Sequence, residues 1–330
     1  MVTIRRAVYE DIPGIMQFWD KHWKPGNILA INRDFFEWQF LDGDKLNVFI
    51  GIDDGNGKIY GTVGAIVYSR NSNPDVSGCT WQVIKSSNPI LGIELSEYMF
   101  NQLNTRYSWA AGISNKAAKI NQLRGCKITE MDHYYRLADI ENFKIAKVAE
   151  KRIPVAEQTG YTLERIYSAE EMKKIISEEM LAEQIPCKDY SYIDKRYFKH
   201  PVFHYDIWKI VNREGSAHSV LITRDEIMQD RKVCEIIDYY GKMEDLGKIA
   251  SSLDRLLNEK KYEFVDVYSF GIPNEIYEQG GFIRCEKSGK NIIPNYFHPF
   301  IQENISLKLV DPMMESVKLF RGDGDQDRPC

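Results

Sequence analysis

Short runs of alternating apolar and polar residues are interspersed along the chain with segments in which apolar residues recur every three or four positions. The first pattern predicts strands and the second predicts amphipathic helices. The first half reads as a strand, a helix, two or three strands, a strand-loop-helix segment, a strand, a helix and a final strand pair. This order predicts an α/β layer fold with helices on both faces of a sheet.

The pattern occurs twice in the chain. Four segments of the first half, in order, have partners about 155 to 160 residues later: TIRRAVYEDI with TLERIYSAEE, RDFFEWQF with YSYIDKRYF, TWQVIKSSNPILGIELSEYMFNQL with CEIIDYYGKMEDLGKIASSLDRLL, and GISNKAAKINQLRGC with GIPNEIYEQGGF. Because the four segments recur in the same order, two copies of one unit explain them better than coincidence between common strand-turn-helix patterns. With 330 residues and a charged segment that ends in Pro and Gly near residue 150, the sequence predicts two domains, 1–145 and 146–330.

The charge distribution argues against a nucleic-acid partner. The net charge is −5, and the basic residues are mixed with acidic ones rather than clustered into a positive stripe. No run approaches the roughly 18 apolar residues of a membrane span, and the amino terminus lacks a signal-peptide pattern, so we expect no membrane association and a cytoplasmic location. The six cysteines are widely spaced, which predicts no metal site.

The strand-loop-helix segment and the helix that closes on Gly-Phe, IYEQGGF in the second half, resemble the core of the GNAT superfamily of acyl-CoA acyltransferases. NQLRGC is the weaker counterpart in the first half. The resemblance implies two tandem GNAT-like domains, each a mixed, mostly antiparallel twisted sheet flanked by helices. The segments HWKPGNILA and FRGDGDQDRPC are also similar to bacterial N-acyltransferases that modify dTDP-linked amino sugars.

An acyl-CoA site must hold a pyrophosphate, for which the N–H groups at a helix N-terminus are suited. In VIKSSNPILGIEL the candidate groups are those of Lys85, Ser86, Ser87, Asn88, Leu91, Gly92 and Ile93. The family usually has two glycines in this loop, and this chain has only Gly92, because Ile90 occupies the other position. The alternative is that the segment is an ordinary strand-to-helix connection without a ligand. The second-half loop carries Glu244 and Asp245, which would repel pyrophosphate, so we expect the coenzyme in the first domain.

The resemblance also implies catalytic roles. The backbone of Ile84 and the amide of Asn115 would contact the pantetheine arm or the thioester, although Asn115 is equally suited to cap a helix. The family tyrosine corresponds to Asn121 in the first half and to Tyr277 in the second, where we expect a packing role. Asp132 and His133 are candidate bases, of which strand alternation lets only one face a cleft, and His22 is another.

The acceptor would contact the segment between the first two helices and the carboxyl-terminal tail. Trp23 would offer a stacking face, Lys24 a charge for phosphate and Asn27 an amide, with a turn at Pro25 and Gly26 as the alternative. In the tail, Arg321 and Arg328 flank Asp323 and Asp325, a mixture suited to phosphate and sugar, whereas a solvated tail is the alternative.

The sequence therefore predicts an N-acyltransferase that uses acyl-CoA, and no metal, to acylate the amine of a nucleotide-linked, dTDP-type aminodeoxyhexose. Three alternatives stay open: a small-molecule amine or amino-acid N-acetyltransferase, an aminoacyl-tRNA-dependent peptidoglycan bridge ligase, and a non-catalytic acyl-CoA-binding protein. The ligase is disfavoured because the chain shows no basic tRNA surface.

Overall fold

The computed structural model describes residues 2–228 and 230–329. The chain divides into two compact units. Unit 1 comprises Met1–Ala111, Val310–Pro312 and Gly324–Cys330, and unit 2 comprises Gly112–Leu309 and Met313–Asp323. The units thus divide before residue 112, whereas the predicted boundary falls at 145.

The elements up to residue 111 are β1 (Val2–Arg6), α1 (Ile12–His22), α2 (Ile28–Ile31), α3 (Arg33–Phe40), β2 (Leu41–Asp42), β3 (Lys45–Leu46), β4 (Val48–Asp53), β5 (Ile59–Val67), β6 (Val76–Val83), α4 (Leu91–Gln102) and β7 (Ser108–Ala111). A short 3-10 helix, Tyr9–Asp11, precedes α1.

The later elements are α5 (Asn115–Leu123), β8 (Ile128–Glu130), β9 (Asp132–Leu137), β10 (Thr162–Ile166), α6 (Ala169–Lys173), α7 (Glu178–Ala182), α8 (Tyr190–Ile193), β11 (Tyr205–Val211), β12 (Ala217–Met228), β13 (Arg231–Gly241), α9 (Ala250–Lys260), β14 (Tyr262–Phe270), α10 (Asn274–Gln279), β15 (Ile283–Arg284), β16 (Tyr296–Phe297), β17 (Phe300–Ile301), β18 (Lys308–Val310) and β19 (Leu319–Phe320). A π-helical turn, Asp194–Phe198, follows α8, and a 3-10 helix, Met243–Lys248, precedes α9.

The sheet of unit 1 contains the strand order β1-β4-β5-β6-β7. The first three pairings are antiparallel, and β6 and β7 are parallel. The parallel pairing covers only Val76 and Ser77 of β6, which lie opposite Ser108 and Trp109. Because β6 continues to Val83, its second half extends past this pairing and has an edge that β7 does not cover.

Helix α4 packs on this sheet through one apolar face. Leu91, Leu95 and Met99 are four residues apart, lie on one side of the helix and are buried with the strand residues. A Cβ at Gly61 of β5 would lie 2.7 Å from Val83 Cγ1 and 2.8 Å from Leu95 Cδ1, so a glycine is needed for this close approach. The packing places the N-terminus of α4 beside the end of β6.

Unit 2 repeats the same arrangement. Its main sheet has the order β10-β11-β12-β13-β14-β9-β15, and β19 pairs with β14. The first three pairings are again antiparallel, and β13 and β14 are again parallel, with pairing that ends at Ile236 and Val267. The prediction of two similar, mostly antiparallel sheets flanked by helices is therefore confirmed.

Strand β9 explains why the units divide earlier than the predicted boundary. This strand precedes residue 145, yet it lies between β14 and β15, with Tyr135 opposite both Asp266 and Ile283. Its side chains from His133 to Leu137 are buried in unit 2. The alternation of apolar residues identifies a strand but carries no information on which sheet receives it, so the repeat alone does not reveal this placement.

Candidate active site

Strand β6 contains a β-bulge at the point where it leaves β7. Thr62 of β5 lies opposite Gln82 and Gly64 lies opposite Cys79, so that two residues of β6, Thr80 and Trp81, face one residue of β5. Thr80 has a φ of +46°, which is a strained conformation for a β-branched residue. A bulge bends the strand and leaves backbone groups unpaired.

Unit 2 has a bulge at the corresponding position. Ile222 of β12 lies opposite Asp238 and Thr223 lies opposite Ile236, so Ile237 is the extra residue. Thr80 and Ile237 are 157 residues apart, which matches the offset of the sequence repeat. Both β6 and β13 therefore have a bulge shortly after the end of their parallel pairing.

The uncovered edge of β6 presents a backbone donor, but the residue differs from the one predicted. The Ile84 N–H donates to the Tyr60 oxygen of unit 1, 2.9 Å away, and so points into the sheet. Because successive N–H groups of a strand point to opposite edges, the N–H of Val83 points to the uncovered edge. We therefore propose Val83 rather than Ile84 as the backbone donor.

The loop from Lys85 to Ile90 is shaped by its own polar side chains. The Ser86 hydroxyl donates to the Asn88 oxygen, 2.9 Å away, and the Asn88 side chain accepts from the Ile90 N–H at 3.1 Å and donates to Glu94 at 2.5 Å. Ser86 and Asn88 therefore hold the loop in place, whereas Lys85 and Ser87 are exposed.

Helix α4 begins at Leu91 without a side-chain cap. The Leu91 N–H makes a long contact of 3.5 Å to the Asn88 oxygen, and the Ile93 N–H donates to the Ile90 oxygen at 2.9 Å. In the described part of the chain the Gly92 N–H has no such acceptor. An uncapped N–H at a helix N-terminus, next to an exposed lysine, is suited to a bound anion.

Two of the three predicted bases, Asp132 and His133, lie in unit 2, where they border a cavity of about 630 Å³. The His133 imidazole is buried, and its Nε2 is 2.9 Å from Asp266 Oδ2. Asp132, the first residue of β9, pairs with Arg284 of β15 at 2.5 Å. Strand alternation predicted that only one of Asp132 and His133 would face a cleft. Both residues border the cavity, and Arg284, the partner of Asp132, also lies at its wall.

The environment of His133 keeps its imidazole neutral. Burial lowers the pKa of His133 below its usual value, although Asp266 opposes the shift. Burial raises the pKa of Asp266, and His133 opposes that shift. The His133 ring also stacks on Tyr268 with ring centroids 4.0 Å apart. A neutral imidazole held by a carboxylate is the arrangement expected of a general base.

The predicted acceptor residues are divided between the two units. In unit 1 the Arg328 guanidinium lies 4.9 Å from the centre of the Trp23 ring and pairs with Asp325. In unit 2 Arg321 pairs with Glu235 and, at 2.7 Å, with Asp266. Arg321 and Asp323 are buried in unit 2, where Asp323 pairs with Lys188 at 2.6 Å, so we do not include them in the proposed acceptor site.

The segment between α1 and α2 was predicted to be either an acceptor-binding segment or a turn at Pro25 and Gly26, and the structure shows the turn together with an exposed lysine. The Asn27 N–H donates to the Lys24 oxygen at 3.1 Å across Pro25 and Gly26, which makes a turn. The side chain of Asn27 is buried and caps α2 by accepting from the Leu29 N–H at 3.1 Å. Lys24 is exposed, and the ring of His22 lies 5.1 Å from that of Phe18.

Beside these residues, unit 1 buries polar atoms that sequence reasoning missed. In the described part of the chain the Ser77 hydroxyl and the Nε of Arg328 lack a hydrogen-bond partner. Gly324 lies next to Ser77, and the charges of Asp325 and Arg328 act on the Cys79 thiol between Ser77 and Thr80. Buried polar groups without a protein partner are suited to contact with a water molecule or a polar ligand.

No family model matches the sequence, and no curated protein matches it. By structure, the chain is similar to a GCN5-related N-acetyltransferase from Anabaena variabilis ATCC 29413, with a TM-score of 0.57 and 10% identity over 96% of this chain and 75% of that one. It is also similar to a protein of Enterococcus faecalis V583 described as a probable N-acyltransferase, with a TM-score of 0.54 and 11% identity over 93% and 72%. The chain has the GNAT fold.

Within the GNAT fold, two further predicted residues have structural roles. Tyr277 is fully buried, stacks on Tyr134 and donates its hydroxyl to Ser269 at 2.7 Å, as expected of a packing residue. Asn115 is the first residue of α5 in unit 2, but the cap of this helix is Ser114, and the Asn115 side chain accepts from Lys308.

Among residues 2–228 and 230–329, no group of three or more His, Cys, Asp or Glu side chains is placed to hold a metal ion. No helix in these ranges is long and apolar enough to cross a membrane.

The bulge of the GNAT-fold unit 1 gives a testable prediction. Thr80→Gly removes a β-branched residue from a positive φ, so we expect unit 1 to gain about 1 kcal/mol of unfolding free energy. If the strain maintains the site, acyl-CoA turnover should fall in the same variant. Thermal unfolding and thiol release measure the two effects.

Lys261→Gly is the matched control, because Lys261 has a φ of +58° at the end of α9 in unit 2. This variant should gain stability without a change in turnover. A loss of stability in Thr80→Gly would contradict the interpretation.

Proposed function

We propose that the protein is an acyl-CoA-dependent N-acyltransferase and that unit 1 binds the coenzyme. One observation supports this most directly: the uncovered edge of β6 lies beside the uncapped N-terminus of α4. The strand edge offers the N–H of Val83 to the amide arm and thioester carbonyl of acyl-CoA. The Gly92 N–H and the Lys85 ammonium offer donors to the pyrophosphate.

The corresponding loop of unit 2 is less suited to pyrophosphate. It carries Glu244, which is exposed, and Asp245, which is buried and accepts from the Ser219 hydroxyl at 2.8 Å. Two carboxylates repel a diphosphate when water is partly excluded. This difference supports one coenzyme site for each chain.

The proposed reaction is direct transfer to an amine. The amine nitrogen attacks the thioester carbonyl, the carbon–sulfur bond breaks, and the coenzyme leaves as a thiolate. A backbone N–H directed at the carbonyl oxygen stabilises the negative charge that develops there. For the proton that the amine loses, His133 of unit 2 remains the proposed base on chemical grounds alone, because its buried neutral imidazole, held by Asp266, is able to accept a proton.

For the acceptor, we propose the amine of a nucleotide-linked aminodeoxyhexose. The sequence resemblance to sugar N-acyltransferases supports this choice, as does the cluster of Trp23, Asp325 and Arg328 in unit 1. Arg328 is suited to a phosphate, and Asp325 and the hydroxyls of Ser77 and Thr80 are suited to sugar hydroxyls.

The coenzyme site predicts the effect of a charge reversal. Lys85→Glu should weaken acetyl-CoA binding by about 10- to 100-fold, because it replaces a charge-assisted contact with repulsion. The loss should shrink at high salt, since both charges are exposed. Titration calorimetry at two salt concentrations measures it.

Lys45→Glu, a charge reversal at another exposed position of unit 1, is the control. It should leave the affinity for acetyl-CoA within about twofold of the unchanged protein. Equal effects of the two variants would argue against an anion site at α4.

The acceptor is tested by thiol release from acetyl-CoA and longer acyl-CoAs with a panel of dTDP- and UDP-linked amino sugars. Simple amines and amino acids serve as the comparison. Release with nucleotide sugars supports the proposed acceptor, and release with the simple amines alone contradicts it. Coenzyme binding without release from any acceptor contradicts the enzymatic function itself.

A further inference from the structure

The parallel strands of unit 2 separate as those of unit 1 do, and the space between them holds a segment of the chain itself. Residues Leu319–Gly322, which we call the insert, lie at the point where β13 and β14 stop pairing. Phe320 and Leu319 lie opposite Ser269 and Phe270 in antiparallel register with β14. The Gly322 N–H donates to the Ile237 oxygen of β13 at 2.8 Å.

The insert therefore bonds to the residue that forms the bulge of unit 2. Ile237 is the extra residue of β13, and its carbonyl oxygen is one of the backbone groups that the separation of the strands leaves unpaired. A Cβ at Gly322 would lie 2.9 Å from this oxygen and 2.8 Å from the Tyr197 hydroxyl. Only glycine permits so close an approach at this position.

Side chains hold the insert to both strands. Arg321 is buried and pairs with Glu235 of β13 and with Asp266 of β14, at 2.7 Å for the second. Phe320 packs on Tyr239 with ring centroids 6.2 Å apart, and Leu319 is fully buried. These contacts use two residues of β13 and one of β14, as expected of a segment that fills the space between the two strands.

The backbone of the insert and the arm of acyl-CoA have the same chemistry. The pantetheine arm is a narrow chain with two secondary amides, and each amide presents one N–H donor and one carbonyl acceptor, as a peptide does. A strand edge that pairs with a peptide backbone is therefore also suited to pair with the pantetheine arm.

On the basis of the coenzyme site proposed for unit 1, we infer that the insert is a built-in ligand of unit 2. It occupies the slot equivalent to the one that receives the amide arm of acyl-CoA in unit 1. The slot takes a pantetheine-type diamide when the insert is withdrawn. A cavity of about 320 Å³ borders the insert at Phe320 and the end of β13 at Gly241, so space for a longer chain adjoins it.

Binding stoichiometry in the full chain tests this inference. Unit 1 is first saturated with acetyl-CoA, and isotopically labelled pantetheine is then added and measured by equilibrium dialysis. Pantetheine is the probe because it lacks the phosphates that Glu244 and Asp245 repel. The native chain should take up none, and Gly322→Val, whose side chain clashes with Ile237 and Tyr197, should take up one equivalent.

Arg321→Met is the second variant, and it tests the inference even if Gly322→Val does not fold. In this variant Asp266 retains His133 and Glu235 retains Arg224 as partners. It should also take up pantetheine, and a peptide of the sequence KLFRGD should compete for the slot. Ser316→Ala, at an exposed position just before the insert, is the control and should behave as the native chain does.

The outcomes separate this inference from the proposed function. Variants that keep the native near-ultraviolet circular dichroism and bind no pantetheine overturn the inference. Uptake by the native chain itself also overturns it, because the slot would then be open. A native chain that binds no acetyl-CoA contradicts the proposed function, yet pantetheine uptake by the variants would still support the inference.

Discussion

Replacing His133 by Asn is expected to lower kcat/KM for acyl transfer by about a hundred- to ten-thousand-fold, the usual contribution of a general base. The asparagine amide can still donate a hydrogen bond to Asp266, so the contact of 2.9 Å has a substitute while the basic nitrogen is lost. Affinity for acetyl-CoA should stay unchanged. Thiol release under kcat/KM conditions, combined with coenzyme titration, measures both quantities.

The pH dependence gives a second test of this base. The pKa of His133 is lowered by burial, so the neutral, proton-accepting form persists to a lower pH than for an exposed histidine. The acid limb of kcat/KM should therefore lie below about pH 6.5 in the native protein and disappear in His133→Asn.

Asp132→Asn is the matched control, because Asp132 is the neighbouring residue on β9 and is bonded to the half-exposed Arg284. It should change kcat/KM less than about threefold. A large loss in the control with little loss in His133→Asn would exclude His133 as the base and favour Asp132.

The largest effect on stability is expected for Arg136→Met. Arg136 is fully buried and makes a two-point contact with Asp254, 2.6 Å for each nitrogen–oxygen pair. It also donates to the carbonyl oxygens of Gly281 at 2.9 Å and Pro154 at 3.1 Å. Its removal leaves these acceptors without their donor, so we expect a loss of about 3–5 kcal/mol in the free energy of unfolding of unit 2.

Urea denaturation followed by tryptophan fluorescence measures this loss. Arg284→Met is the control, since its pair with Asp132 is at the surface and should contribute less than about 1 kcal/mol. Similar midpoints for the two variants would show that the buried contacts of Arg136 do not stabilise unit 2 as argued.

The loop that we propose for the coenzyme could be located from the sequence, but the backbone geometry beside it could not. The loop from Lys85 to Asn88 and the start of α4 follow from the strand-loop-helix pattern and from the charges of the two loops. The bulge at Thr80 could not be predicted, because Thr is rare at positive φ and nothing in the sequence marks it. The sequence alone therefore could not show that the Ile84 N–H bonds inside the sheet and that the Val83 N–H points to the other edge of β6.

The tail shows a similar limit. Its polar composition is typical of a solvated segment, and its two arginines suggested a single ligand site. In the structure Arg321 is buried in unit 2 and Arg328 packs on Trp23 in unit 1. Partners such as Asp266 are more than 50 residues away in the chain, and local composition has no information about them.

The sequence by itself determined the repeated order of strands and helices, because apolar periodicity and turn residues act within a few positions of the chain. It also determined that the second of the two loops carries a pair of carboxylates and the first does not, because formal charge follows from the residue types. Only the tertiary structure decided which sheet receives β9, where the insert lies and how His133 is held. These depend on pairings between distant backbone edges, whose hydrogen-bonding groups are the same in every residue except proline.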